Sequence, residues 1–373
     1  MKYCIKCLQP DTRPNISFLD GVCPVCRYMD TLHSVDWVER FDILESLISP
    51  YRNPCSNTHD CIVGVSGGKD STRQALWVRD KLKMNPLLVA LTQPPEQVSE
   101  IGVHNLSNLL ELGFDIVQSS LSPQTWKSLV RHSFFNYQNW AKPTELAIFS
   151  AVPRLAMQYK IPLVFWGECP LQVGDLGAIG SEPWDANNMG NSNTLASGHQ
   201  WMLDSDFDNH KLIHYKFPPP SSFHDSGLQI IYLGWFLGDW GLERNASNAC
   251  SYGLRIRDEG PLLTGDLKGV SNLDEDWHNM NQMMKYLKFG FGKVTEYVCE
   301  SIRIGAITRE QGIPLIEQFD GKISSHHIST FCSYIDISED SFWDVANIAV
   351  NPDLFDVRDS NTFIPKFKVG IGI

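Results

Sequence analysis

Four cysteines near the start of the chain have the spacing of a metal site. Cys4 and Cys7 form one Cys-x2-Cys pair, and Cys23 and Cys26 form another. Two such pairs at this separation match a zinc ribbon, in which thiolates fill all four tetrahedral positions and leave no water to activate. We therefore predict a structural Zn²⁺ ion, in preference to four unrelated reduced thiols. The other cysteines show no comparable pairing and are interpreted mostly as buried thiols: Cys55, Cys61, Cys169, Cys250, Cys299 and Cys332.

A second group has the composition of a phosphate-binding loop. The residues from Gly64 to Ser71 read Gly-Val-Ser-Gly-Gly-Lys-Asp-Ser and lie between an apolar segment and a helical pattern. Glycines let a backbone approach phosphate closely, and successive N–H groups at a helix N-terminus bind anions. A Walker A loop is excluded because Asp70 separates the lysine from the serine, and no G-x-G-x-x-G motif is present. A turn that only joins strand to helix is the alternative. The predicted contacts to ATP are Ser66, Gly67, Gly68, Lys69, Asp70 and Ser71.

A carboxylate follows another predicted strand. Trp166, Gly167 and Glu168 come directly after an apolar run, where a parallel sheet places its ligands. We predict that Glu168 holds Mg²⁺ or orients an acceptor, with Asp175 as a second candidate, and that Gly167 contributes to the cofactor site. A capping or surface carboxylate is the alternative for both.

Cations and glycines occur together near the C-terminus. Residues 285–293 read Lys-Tyr-Leu-Lys-Phe-Gly-Phe-Gly-Lys, and we predict that Lys288 and Lys293 offset the charge of pyrophosphate or of a phosphorylated acceptor. A helix C-terminus with a glycine stop and favourably placed cations would give the same pattern.

The elements that position these residues alternate between strand and helix. Apolar strands are predicted at 61–65, 86–91, 114–117 and 162–166, and helices at 71–83, 101–112 and 145–159. This order predicts an α/β fold with a doubly wound parallel sheet, whose strand-to-helix loops share one edge. We predict a zinc ribbon over 1–34, a connecting helix over 35–56, the α/β domain over 57–240 and a mainly helical region over 241–373. Residues 167–220 show little periodicity and are interpreted as a lid or insert.

Composition limits the classes of partner. The 373 residues carry a formal net charge of −12, and such a surface repels nucleic-acid phosphates. No secretory signal opens the chain, and no apolar run is long enough to span a bilayer. These features predict a cytoplasmic, soluble protein without a nucleic-acid partner.

The run Ser66 to Ser71 resembles the SGGxDS signature of the PP-loop ATP pyrophosphatases, which have a HUP-like α/β fold. In that superfamily the loop holds the β,γ-pyrophosphate, and attack at the α-phosphorus leaves an adenylate. The resemblance implies that Leu91 and Thr92, at a neighbouring strand end, border adenine and ribose.

The chain as a whole resembles the N-acetyl sugar amidotransferases of bacterial surface-polysaccharide biosynthesis. The resemblance rests on several segments: Met1–Pro14, Ser66–Ser71, Trp166–Glu168, Arg257–Pro261, Leu287–Gly292, Ile302–Gly312 and Asp320–Gly321. It implies conversion of a sugar acetamido group to acetamidino through an O-adenylyl imidate, with release of AMP and pyrophosphate. Asp70, Glu168 and Lys288 would be the catalytic residues, with Mg²⁺ and Lys69 assisting.

The resemblance also implies partners. Ammonia would come from a separate glutaminase with a cyclase-like companion, and the acceptor would be a nucleotide- or lipid-linked acetamido sugar. A PP-loop tRNA thiolase with a zinc ribbon is the main alternative, and it would need a sulfur carrier such as Cys169. A zinc-ribbon scaffold that binds no ATP is a third interpretation.

Overall fold

A computed structural model of the chain describes residues 1–52, 58–195, 198, 200–203 and 207–373. The strands are β1 (Cys61–Gly64), β2 (Pro86–Thr92), β3 (Ile116–Ser120), β4 (Leu163–Trp166), β5 (Gln229–Tyr232), β6 (Phe355–Asp359) and β7 (Thr362–Pro365).

The helices alternate with these strands first and dominate afterwards. They are α1 (Pro24–Thr31), α2 (Trp37–Ile48), α3 (Lys69–Asp80), α4 (Glu100–Glu111), α5 (Pro123–Tyr137), α6 (Lys142–Tyr159), α7 (Pro170–Val173), α8 (Gln200–Leu203), α9 (Pro220–Ser226), α10 (Leu242–Ser251), α11 (Pro261–Thr264), α12 (His278–Phe289), α13 (Lys293–Arg303), α14 (Arg309–Phe319), α15 (Ser325–Tyr334) and α16 (Glu339–Ala349). Within the described ranges, no helix has both the length and the apolar character needed to cross a membrane.

Five parallel strands form the main sheet, in the order β3-β2-β1-β4-β5. Strands β2 and β3 are added in turn on one side of β1, and β4 and β5 are added on its other side. The strand order therefore reverses between β1 and β4, where parallel sheets open a crevice at their carboxyl ends. The predicted fold class is confirmed.

Alternate strand residues pack on opposite faces of this sheet. Cys61 and Val63 face a core shared with α3 and α4, whereas Ile62 faces a core shared with α6. Both cores are closed to solvent, which explains why the strands are apolar at successive positions.

Some elements differ from those predicted. Strand β3 begins at Ile116 rather than at residue 114, and α3 begins at Lys69 rather than at Ser71. The sheet also includes β5, and the chain contains α5, neither of which the periodicity predicted. The segment 167–220 contains short helices and turns, and its residues 196–197, 199 and 204–206 lie outside the described residues.

The chain forms two compact units. The sheet unit contains residues 32–126 and 142–255, and the ribbon–helix unit contains residues 1–31, 127–141 and 256–373. Most of the predicted 57–240 domain thus falls in the sheet unit, and most of 241–373 falls in the ribbon–helix unit. The structure does not describe residues 53–57, and both the predicted boundary between residues 56 and 57 and Cys55 fall in this range.

In the ribbon–helix unit, the N-terminal residues pack on C-terminal helices. The ribbon has isolated antiparallel bridges rather than extended hairpins, together with α1. Leu8 belongs to a buried cluster with Val298 of α13 and Ile316 of α14. A segment this short has too little apolar surface for a core of its own, so its core is completed by distant parts of the sequence.

The first turn of α13 is held by an internal carboxylate. Asp320 accepts hydrogen bonds from the backbone N–H groups of Gly292 (2.7 Å), Val294 (3.1 Å) and Thr295 (3.3 Å). The Thr295 hydroxyl also donates to Asp320, over 2.6 Å. The glycines of the 285–293 segment therefore let the chain's own carboxylate reach a helix N-terminus.

Gly321 follows this carboxylate and has a conformation that disfavours other residues. Its φ angle is +71°, and an added Cβ would lie 2.3 Å from the ring of Tyr286. The Asp320–Gly321 pair is therefore explained by helix capping and by close packing.

Replacing Asp320 by alanine should destabilise the ribbon–helix unit. Three backbone donors and one hydroxyl would lose their acceptor, and we expect the free energy of unfolding to fall by about 2 kcal/mol or more. Urea unfolding measures this change. The matched control is Gln318→Ala, at an exposed position of the preceding helix, which should change stability little. Equal stability of both variants would contradict the capping role.

Candidate functional site

The glycine loop follows β1 at the carboxyl edge of the sheet. Gly67 has a φ angle of +76°, and an added Cβ would lie 3.1 Å from the backbone nitrogen of Leu106 in α4. Glycine is required there because other residues disfavour the conformation and would crowd α4. The loop backbone is thus held in place by a neighbouring helix.

The first turn of α3 has the properties of an anion site. Gly68 is its N-cap residue and, because it has no side chain, it makes no capping hydrogen bond of its own. Ser71 instead closes the loop on itself: its hydroxyl contacts the carbonyl of Gly68 (3.2 Å) and accepts from the N–H of Ser66 (3.4 Å). Backbone N–H groups at the start of a twelve-residue helix suit phosphate oxygens.

Asp70 has partners on both carboxylate oxygens. The ammonium of Lys69, which is almost entirely buried, lies 2.7 Å from Oδ2. The side-chain amide of Asn245 donates to Oδ1, also over 2.7 Å. Local sequence gives no signal for Asn245, because it lies 175 positions away in α10.

Glu168 follows β4, which is the strand beside β1. Its side chain is solvent-accessible, yet the surrounding protein desolvates it, and Asp70 and Glu145 add negative potential. These effects outweigh the attraction of Lys69 and raise the pKa of Glu168 to about 7. Glu145, on the first turn of α6, is a further acid that the sequence pattern did not indicate.

The backbone before Glu168 is packed against an indole ring. An added Cβ on Gly167 would lie 3.4 Å from Trp240, and one on Gly234 would lie 2.9 Å from the same ring. The two glycines thus make room for Trp240 behind the turn that carries Glu168.

The remaining predicted residues of the sheet unit have distinct placements. Leu91 and Thr92 end β2, which is the strand on the other side of β1, and the Thr92 hydroxyl contacts Gln118 of β3 over 3.4 Å. Asp175 accepts from the backbone N–H of Asn193 over 3.0 Å and so organises its own loop.

The two predicted cations of the C-terminal segment belong to the ribbon–helix unit. Lys288 donates to the carbonyls of Tyr137 (2.7 Å) and Gln138 (3.1 Å). Lys293 lies 3.5 Å from Glu296, whose carboxylate also pairs with Lys285 and Arg13. Both cations therefore have internal partners, and their roles at pyrophosphate stay predictions.

The four N-terminal cysteines converge on one point. Their sulfurs lie within 4.8 Å of one another, with 3.9 Å between Cys4 and Cys26 and 3.8 Å between Cys7 and Cys23. A tetrahedral ion with Zn–S bonds of about 2.3 Å holds its sulfurs about 3.8 Å apart. In a [4Fe–4S] cluster each thiolate binds a different iron, which requires a wider spacing. Arg303 donates towards Cys7 (3.4 Å) and Cys23 (3.8 Å), as expected beside negative thiolates.

The other described cysteines are mostly buried. Cys250 is exposed, and the buried ones are Cys61, Cys169, Cys299 and Cys332.

Comparison with protein families gives one match. Residues 270–368 match the model described as LPS biosynthesis protein WbpG-like, C-terminal domain. This region is similar to the WbpG-like family. The match confirms the predicted resemblance to N-acetyl sugar amidotransferases in the C-terminal part of the chain, which contains α12, α13 and the Asp320–Gly321 pair.

A solved structure is also similar to the chain. It is the U34-tRNA thiolase NcsA from Methanococcus maripaludis with its [4Fe-4S] cluster, at 14% identity and a TM-score of 0.27. The similarity covers 79% of this chain and 88% of that one. A TM-score this low carries no argument about function. No curated protein matches the chain.

Metal analysis of the purified protein should find one zinc ion per chain, because the sulfur spacing suits a single tetrahedral ion. Cys26→Ser should lower the zinc content, and Cys250→Ser, which changes an exposed thiol outside the group, should not. Iron and a visible absorbance band in the unsubstituted protein would contradict the zinc assignment.

Glu168→Gln should raise stability, in a pH-dependent manner. Because the pKa of Glu168 rises from 4.5 to about 7 on folding, the folded chain binds more protons than the unfolded chain between these values. Stability of the unsubstituted protein therefore falls as pH rises through this window and levels off above it. The variant lacks this loss, so its stability advantage should grow from pH 4.5 to about 7.

Urea unfolding at several pH values measures the advantage, with Glu182→Gln as the control at an exposed acid of the same unit. An advantage that does not vary with pH would show that the surroundings of Glu168 do not desolvate its charge.

Proposed function

We propose that the chain is an ATP-dependent amidotransferase that converts a sugar acetamido group to an acetamidino group. One observation carries the proposal. The glycine loop that leads into α3 and the residue Glu168, whose pKa is raised to about 7, follow the two strands, β1 and β4, between which the strand order reverses. An anion site and an ionisable carboxylate at a switch point suit activation of an acceptor by a nucleotide.

The proposed reaction replaces an oxygen that leaves poorly. The acetamide oxygen attacks the α-phosphorus of ATP, the bond from that phosphorus to pyrophosphate breaks, and an O-adenylyl imidate forms. Ammonia then adds to the imidate carbon, and the oxygen departs with AMP. The amidine, AMP and pyrophosphate account for all atoms of the acetamide, ATP and ammonia.

The chain's residues would bind and orient these groups. The amides of the loop from Ser66 to Ser71 would hold the β- and γ-phosphates, and Lys69 would offset their charge. Asp70 would hold Mg²⁺, which supplies positive charge to the departing pyrophosphate. With a pKa near 7, Glu168 would accept the proton that nitrogen loses after ammonia adds.

The family match supports an acceptor from lipopolysaccharide synthesis. We propose a nucleotide- or lipid-linked acetamido sugar as acceptor, and a separate glutaminase with a cyclase-like companion as ammonia source. Neutral ammonia must be kept away from water, which a docked partner would achieve. A cytoplasmic location is part of this proposal, because ATP is available there.

The tRNA thiolase alternative receives less support. The net charge of −12 disfavours binding to RNA phosphates, and the thiol of Cys169 is buried. Full activity of Cys169→Ser in nitrogen transfer would argue further against sulfur chemistry.

Incubation of the protein with an acetamido sugar, ammonium and α-labelled ATP should yield AMP and pyrophosphate. Mass spectrometry of the sugar should show replacement of O by NH. Because Asp70 is placed at the loop, Asp70→Asn should lower AMP formation by about 100-fold or more. Asp80→Asn, at the far end of the same helix, is the matched control. Formation of ADP and phosphate would eliminate the scheme.

A further inference from the structure

We infer that Asn245 and Arg73 are positioning residues, which hold the Asp70 carboxylate in one orientation for a divalent cation bound to nucleotide phosphates. The inference rests on the proposed function for the identity of that ligand. The described contacts that carry it all lie within the sheet unit.

Arg73 fixes the orientation of the Asn245 side chain. Both residues are almost completely buried, and Nη1 of Arg73 donates to Oδ1 of Asn245 over 2.6 Å. A guanidinium only donates, so the amide oxygen must face Arg73. The amide nitrogen of Asn245 is thereby directed to Asp70, where it donates to Oδ1 over 2.7 Å.

Arg73 is itself held on several sides. Its Nη1 donates to the carbonyl of Asp239 over 3.0 Å, and its Nη2 pairs with the Asp239 carboxylate over 2.5 Å. Its guanidinium lies 5.5 Å from the centre of the Trp240 ring. A buried cation with this many partners does not rotate freely, so the amide of Asn245 is held as well.

The contacts from Arg73 to Asn245 and from Asn245 to Asp70 restrain Asp70, the residue that would bind the cation. Asp70 retains considerable solvent exposure, and Lys69 and Asn245 contact its two different carboxylate oxygens. Hydrogen-bonded partners of a metal-binding carboxylate set its direction and typically contribute 10- to 100-fold, roughly, to metal affinity or activity. A solely structural role is the competing explanation, because Asn245 also accepts from the N–H of Gly241 near the start of α10 (3.4 Å).

Asn245→Asp separates the two explanations. The aspartate keeps the size of the side chain and the acceptor that faces Arg73, but it does not donate to Asp70 when ionised. We expect the affinity for Mn²⁺ in the presence of a non-hydrolysable ATP analogue, measured by electron paramagnetic resonance, to fall about 10- to 100-fold. Asn248→Ala, on the same helix, is the control and should leave this affinity unchanged.

The activity readout should show a matching change. In Asn245→Asp the Mg²⁺ concentration for half-maximal AMP formation should rise, while the KM for the acetamido sugar stays the same. If Asn245→Asp is folded by circular dichroism and retains the Mn²⁺ affinity of the unsubstituted protein, the inference is overturned. Asn245→Ala, which removes the donor without adding charge, should also weaken Mn²⁺ binding, and unchanged binding there would overturn the inference too.

Failure of the proposed function has a different signature. The unsubstituted protein would then form no AMP from any acetamido sugar but would still bind the Mn²⁺–nucleotide complex, and Asn245→Asp would bind that complex more weakly. This result would refute the proposed reaction and support the positioning role of Asn245 and Arg73.

Discussion

The sheet unit depends on a helix that starts at a glycine. Gly68 has no side chain to cap the first turn of α3, and the N–H groups of a first turn require acceptors from outside the helix. The local sequence follows from this constraint. Gly67 lets the loop lie against α4, and the Ser66–Ser71 contact shapes it. The result is a preformed position for an anion at the point where the strand order reverses.

In the ribbon–helix unit, the N–H groups in the first turn of a helix have an acceptor from the chain itself. There a glycine-containing segment also leads into a helix, α13, but Asp320 occupies the position that a bound anion would take. The two segments look alike in sequence, since both combine glycines with lysines. The second segment is closed by a carboxylate 28 positions away. An internal acceptor of this kind identifies a structural segment, which the sequence of the segment alone does not reveal.

The sequence was sufficient for features defined by neighbouring residues. The loop at 66–71, the paired cysteines and the strand before Glu168 each have their determinants within a few positions, so they were predictable. Asn245 and Arg73 were not, because their contact joins helices far apart in the chain. The partners of Lys288 are carbonyls about 150 positions away, and they could not be read from the residues around it. Strand β5 was missed for a related reason: its place in the sheet depends on pairing with β4, which is distant in the sequence.

The composition of the ribbon–helix unit has a consequence for folding during synthesis. Residues 1–31 are synthesised long before α13 and α14, which complete the core that covers Leu8. For most of translation the ribbon has no helices to pack on. A metal bound by its four thiolates would hold these residues together during that interval, since coordination energy substitutes for a missing core. The cysteine cluster would then stabilise the ribbon in the nascent chain as well as in the folded unit.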